Sequence, residues 1–203
     1  MKTPVNQATQ ERILQAASDV FSQKGYHGAN VDEIVRLADT SKGGIYFHFS
    51  SKEVLFFAVM DGLASQLVGK VERAVSREKT PLGKCEIALE TVLMTLGDHK
   101  KLARLLLVQG YSMGKAFEEK RRQIFARFAA QIENVLEQAV KSGDIPPLES
   151  KLASYVWLGA ISEVVMLWLQ SAEAPSPKEA YPYMRVMLLK GVGFKLPSTS
   201  RNG

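Results

Sequence analysis

The chain has 203 residues, 46% of them hydrophobic, and a formal net charge of +5. That length and apolar content bury a core in one or two domains, and the small positive balance favours a polyanionic partner only mildly. Cys85 is the single cysteine, which excludes an intrachain disulfide and a multi-cysteine metal site; no cofactor or metal is implied. Acidic and basic residues nearly balance over residues 1–53, so any nucleic-acid reading has to rest on placement rather than bulk charge. The opening stretch from Met1 to Gln7 lacks a signal-peptide apolar core. The apolar run from Ala153 to Leu169 contains Ser154, Ser162 and Glu163 and reads as too short and polar for a membrane span. The expectation is a soluble, cytoplasmic protein with no membrane partner.

In chain order, nearly everything reads as helix. Ile13, Leu14, Ala17, Val20 and Phe21 form one helical stripe, which Gly25 ends as a C-terminal glycine would. Val31, Ile34, Val35 and Ala38 repeat the spacing, with Asn30 and Glu33 placed as a capping box. A short helix covers about Lys42 to His48. Ser50 and Glu53 give a second capping signal, opening a long helix from about Ser51 into the 70s. Thr80-Pro81 starts another helix, because proline suits the first turn. Further helices cover about Lys100 to Gln109 and, from the stripe Phe117, Arg121, Ile124, Phe125, Phe128, Ile132, Val135, Leu136 and Ala139, a long amphipathic segment. Gly143-Asp144-Ile145-Pro146-Pro147 is the clearest break. Two helices follow, near 149–171 and 177–193, and a polar tail from Pro197. With no alternating strand pattern, the fold class is all-α.

The informative stretch is Asn30 to Phe49, NVDEIVRLADTSKGGIYFHF. A helix, a turn at Asp39-Thr40-Ser41 and a second short helix make a helix-turn-helix, whose second helix enters the DNA major groove. Gly43 and Gly44 lack side chains, so the backbone can approach DNA closely; each costs about 1 kcal/mol against alanine in a free helix. Ile45 points inward. Ser41, Lys42, Gly43 and Gly44 are assigned to the groove-facing surface, and Tyr46, His48 and Lys52 to the phosphate contacts that position the protein. Lys52 opens the long helix, where free N–H groups favour an anion. Asn30 and Phe47 complete the DNA-binding candidates.

On these residues the chain resembles the tetracycline-repressor family. Ala17, Phe21, Gly25, Tyr26, Val31 and Ile34 follow one family pattern, and Ser41, Lys42, Gly43, Ile45, Tyr46, Phe49, Lys52, Glu53 and Leu55 another. The family usually has glycine-valine where this chain has Asp39-Thr40, and aspartate tolerates the left-handed conformation that turn needs. Gly44 stands where threonine, serine or alanine is common, which removes a groove contact. The resemblance implies a three-helix DNA-binding domain over 7–67, with its motif at 30–49, and a ligand-binding and dimerisation domain over 68–196, about nine helices in all. It implies double-stranded operator DNA, a small-molecule effector and a second copy, paired through the two C-terminal long helices, as partners. The implied function is a repressor that releases a palindromic operator on binding its effector, with the long helix from Ser51 as lever.

The stretch from Leu105 to Trp168 looks similar to family members that bind acyl-CoA, and adaptable methionine and aromatic linings suit an apolar ligand. Pocket candidates are Met94, Leu105, Gln109, Met113, Phe117, Phe125, Phe128, Trp157, Glu163 and Met166. A multidrug-type sensor of hydrophobic cations is the rival, with Glu163 as its acid; for Glu163, a partner across the subunit interface or simple exposure also stands. Gly110-Tyr111-Ser112-Met113-Gly114 matches a hydrolase nucleophile elbow. That elbow needs a histidine downstream of its serine, and His27, His48 and His99 all precede Ser112, so no enzyme is expected. A helical scaffold or dimerisation protein is the remaining alternative, and it leaves the 42–52 surface unexplained.

Overall fold

The structure, a computed structural model, describes residues 4–108 and 114–196. Gln109, Met113, the rest of the elbow match up to Met113 and the tail from Pro197 lie outside the described residues. Among the described residues there are nine helices and no strand. They are α1 (Pro4–Gly28), α2 (Val31–Leu37), α3 (Lys42–His48), α4 (Lys52–Val75), α5 (Pro81–Asp98), α6 (Lys100–Leu107), α7 (Lys115–Ser142), α8 (Ser150–Gln170) and α9 (Pro177–Gly191). Gly25 breaks α1 with φ 73 and ψ 175, a conformation open to a residue without Cβ, so the stop expected there is real and a short extra turn follows it.

The helices form two compact units. Of the described residues, the first takes those up to Gln66 and those between Lys100 and Arg122; the second takes Leu67–His99 and Gln123–Leu196. The first unit therefore holds more than the expected 7–67 segment. Its additional members are α6 and the start of α7. In α6, Ala103, Leu105, Leu106 and Leu107 are buried while Lys100, Lys101 and Arg104 face solvent, and the helix packs on α1. On α7, Lys120 pairs with Asp61 of α4 at 2.8 Å and lies 5.8 Å from the Phe57 ring centroid. These are contacts between segments far apart in sequence, which local periodicity does not report. The head's core is Ile13, Phe21, Ile34, Ile45, Leu55 and Phe56, all essentially inaccessible. Phe21 meets Phe56 edge-on at 5.0 Å. Each such side chain contributes about 1.5–3 kcal/mol by leaving water.

The second unit is held by a cluster of Cys85, Val135, Leu136, Ala139, Ile145, Trp157, Leu189 and Phe194. Thr80 caps α5 by accepting from the Gly83 N–H at 3.1 Å, with Pro81 in the first turn as expected. The break after α7 turns at Gly143 (φ 76), and Ile145 drops into the core. Gly193 (φ 104) lies against this break. A Cβ there would stand 2.5 Å from Pro146 Cδ, so the chain leaving α9 fits beside the proline only as glycine. Ion pairs Asp98–Lys178 and Glu86–Arg185 tie α5 to α9.

Two expectations change. The side chain capping α4 is Ser51, whose Oγ accepts from the Val54 N–H at 3.1 Å, because the helix starts at Lys52; Ser50 lies one residue too early. And α8 is longer than the run from Ala153 to Leu169. It joins α4 as a helix long and apolar enough, by length and composition, to cross a bilayer. Its surplus apolarity sits on an exposed face rather than all round.

Candidate nucleic-acid interface

Asn30 is extended (φ −103, ψ 130) and its side chain accepts from the Asp32 N–H at 2.9 Å, leaving α2 to bury Val31 and Ile34. The Glu33 carboxylate turns to Lys24 of α1. The α2 exit is a Schellman turn: Thr40 N–H donates to Val35 O at 3.2 Å and Asp39 N–H to Arg36 O at 3.4 Å. Asp39 takes φ 46, the left-handed value that the sequence allows aspartate to adopt. Ser41 then caps α3, accepting from the Gly44 N–H at 3.0 Å.

On α3, Ile45 is buried at 1% exposure and anchors the helix, with Phe49 buried behind it. Opposite them the surface is open: Ser41, Lys42, Gly43, Tyr46 and Phe47 are exposed, and His48 is half-buried. The two glycines differ in kind. A Cβ on Gly44 would lie 2.5 Å from Thr40 Oγ1, so a side chain there forces the threonine to shift. A Cβ on Gly43 would meet nothing nearer than Ser41 Oγ at 3.8 Å. The reading of Gly44 as a lost groove contact thus gains an internal cause, Thr40, visible only once the turn is closed.

Charge on this surface is tethered. Lys42 Nζ stands 3.1 Å from Asp32 on α2. Lys52 lies 4.8 Å over the Tyr26 ring and donates to the His27 carbonyl at 3.5 Å. Its partial burial lowers the ammonium pKa from the ordinary lysine value. Lys52 therefore links the start of α4 to the end of α1 as well as offering a cation. The Glu33 carboxyl is held below the usual carboxylate range, first by the hydrogen bond from Lys24. Sequence reasoning missed Asp32, Tyr26 and Thr40 as supports, because each acts through a tertiary contact.

The pocket candidates do not gather in one unit. Leu105 and Phe117 are buried in the first; Met94, Phe125, Phe128, Trp157, Glu163 and Met166 belong to the second. Trp157 is part of the hydrophobic core cluster, and Glu163 is exposed on α8. Leu105 to Leu107 form the end of α6, where a nucleophile elbow needs a strand.

Comparison with known proteins agrees with this head. Residues 13–59 match the sequence profile described as "Bacterial regulatory proteins, tetR family". The "Fatty acid metabolism regulator protein" of Bacillus subtilis is 23% identical over 79% of this chain and 83% of its own length. The "HTH-type transcriptional regulator SrpR" of Pseudomonas putida is 28% identical over 81% of this chain and 77% of its own. Among solved structures, the transcriptional regulator FadR from Bacillus subtilis, in complex with stearoyl-CoA, superposes with a TM-score of 0.81 at 21% identity. It covers 90% of this chain and 98% of that one. Residues 13–59 thus carry the sequence profile of the tetR family of bacterial regulatory proteins, and the chain is similar to such regulators over most of its length.

Proposed function

We propose that the chain is a dimeric, ligand-responsive transcriptional repressor, without enzymatic activity, that acts on DNA in the cytoplasm. The observation that carries this reading is the outward face of α3. A helix with an unneeded glycine, an exposed tyrosine and an exposed phenylalanine has no internal reason to be built that way. A duplex supplies the reason. Asn30 and Ser41 fix the helix ends, Lys42 and Phe47 enter the groove, and Tyr46, His48 and Lys52 contact phosphate. A salt-titrated gel shift tests it: log affinity should fall linearly with log salt concentration. Binding insensitive to salt would count against it.

The second copy pairs through α8 and α9. Leu152, Tyr155, Val156 and Leu167 on α8, and Tyr183, Val186 and Met187 on α9, are exposed large apolar side chains. Glu163 falls in the same row of α8, where it meets a polar partner at the seam. Two reading helices set about 34–36 Å apart then enter successive major grooves of a palindrome. The effector is an acyl-CoA, a reading supported by the stearoyl-CoA found with FadR and by the apolar second half. Glu163 on the outside argues against a buried acid for cations. Releasing DNA a hundredfold requires a coupling of about 2.7 kcal/mol between the two sites. Thermal-shift measurement with stearoyl-CoA and with lipophilic cations tests the class: stabilisation by the first alone is expected, and by cations alone would reverse it.

A further inference from the structure

The reading helix α3 has no arginine, asparagine or glutamine, the side chains that recognise guanine and adenine through paired hydrogen bonds. Its cation, Lys42, is tethered to Asp32. Besides Lys42 and the Tyr46 hydroxyl, what α3 offers outward is apolar. At 3.6 residues per turn, Phe47 lies about 200° round the helix from buried Ile45, and Gly43, one turn before it, shares that outward face. Phe47 is 78% exposed and meets His48 edge-on at 5.3 Å. Beside it the Gly43 position is bare backbone that the fold does not need bare. An aromatic knob next to a smooth stretch of helix fits an apolar bump on the partner. The apolar group that a duplex presents in its major groove is the C5-methyl of thymine.

We propose that Phe47 is a specificity-determining residue that reads the thymine C5-methyl in each half-site, with Gly43 admitting the helix close enough for that contact. The proposal rests on the assignment of α3 as a DNA reader and deepens it by naming what is read. Duplexes selected by the full-length chain from a random-sequence library are the probe. Each thymine is replaced in turn by deoxyuridine, which keeps the base pairing and loses only the methyl. One position per half-site should weaken binding, by about fourfold per methyl removed. Phe47→Ala, with helix content checked by circular dichroism, should bind more weakly and respond no longer to that replacement; Phe47→Leu should retain part of the response. Equal binding of thymine and uracil duplexes at every position, or an undiminished uracil effect in Phe47→Ala, overturns the proposal and leaves the DNA reader standing. Failure to select any sequence overturns both.

Discussion

At the scale of single residues, the adjacent glycines of α3 separate fold from function. Gly43→Ala adds a Cβ to open space, so it should raise stability to urea by up to about 1 kcal/mol. The same change should weaken DNA binding in a gel shift. Gly44→Ala drives a Cβ against Thr40 Oγ1 and should lower stability instead. Equal effects of the two on stability would refute the distinction. Lys52→Ala should weaken binding to operator and random duplexes alike. It should also lower the thermal midpoint, since an exposed cation–π contact is worth about 0.5–1 kcal/mol and the His27 carbonyl loses a donor. The sequence announced Gly43, Gly44, Tyr46 and Lys52 as a set. It could not divide them, because Thr40, Asp32 and Tyr26 act on them only across turns and between helices.

Elements were more legible than their supports. Stripe, cap and breaker signals set α3 at Lys42–His48 and α5 at Pro81 without adjustment, since those signals are local. Ser51 rather than Ser50 caps α4 for the opposite reason: two serines in a row offer the same chemistry, and only the helix start chooses. The α9 start carries a complete capping box, Ser176 with Glu179, in which the Ser176 N–H donates to the Glu179 carboxylate at 2.7 Å. Ser176→Ala should cost about 1 kcal/mol in chemical denaturation. Glu33, Asp98 and Glu179 all have their carboxyl pKa lowered, by Lys24, by Lys178 and by the Ser176 N–H respectively. A folded-state pKa below the unfolded one adds stability that is present above the ordinary carboxylate pKa. That stability is lost as pH falls through the lowered values. The thermal midpoint should therefore drop on acidification below about pH 4.3, and less steeply in Glu33→Gln, which removes one of the three linked groups. An unchanged slope would remove Glu33 from the account.

For the whole molecule, the division of the chain was the least legible feature. Placing α6 and the first turns of α7 with the head depends on α1, Phe57 and Asp61 meeting them, and no periodicity encodes such meetings. The effector is equally hidden, because residues that read as a lining, such as Trp157, serve the core. The apolar row on α8 and α9 is an unmet demand for burial. Val156→Asp with Met187→Asp should yield a monomer in sedimentation, with helicity kept and tight operator binding lost; a persisting dimer would move the seam elsewhere. The sole thiol offers a route to its geometry. Cys85 is buried, and burial together with the Glu86 charge pushes it up to about 12, so almost no reactive thiolate exists at neutral pH. A spin label attached through Gln23→Cys on the exposed side of α1 would then have a silent background, and the two heads of a pair could be measured against each other with the native cysteine left in place.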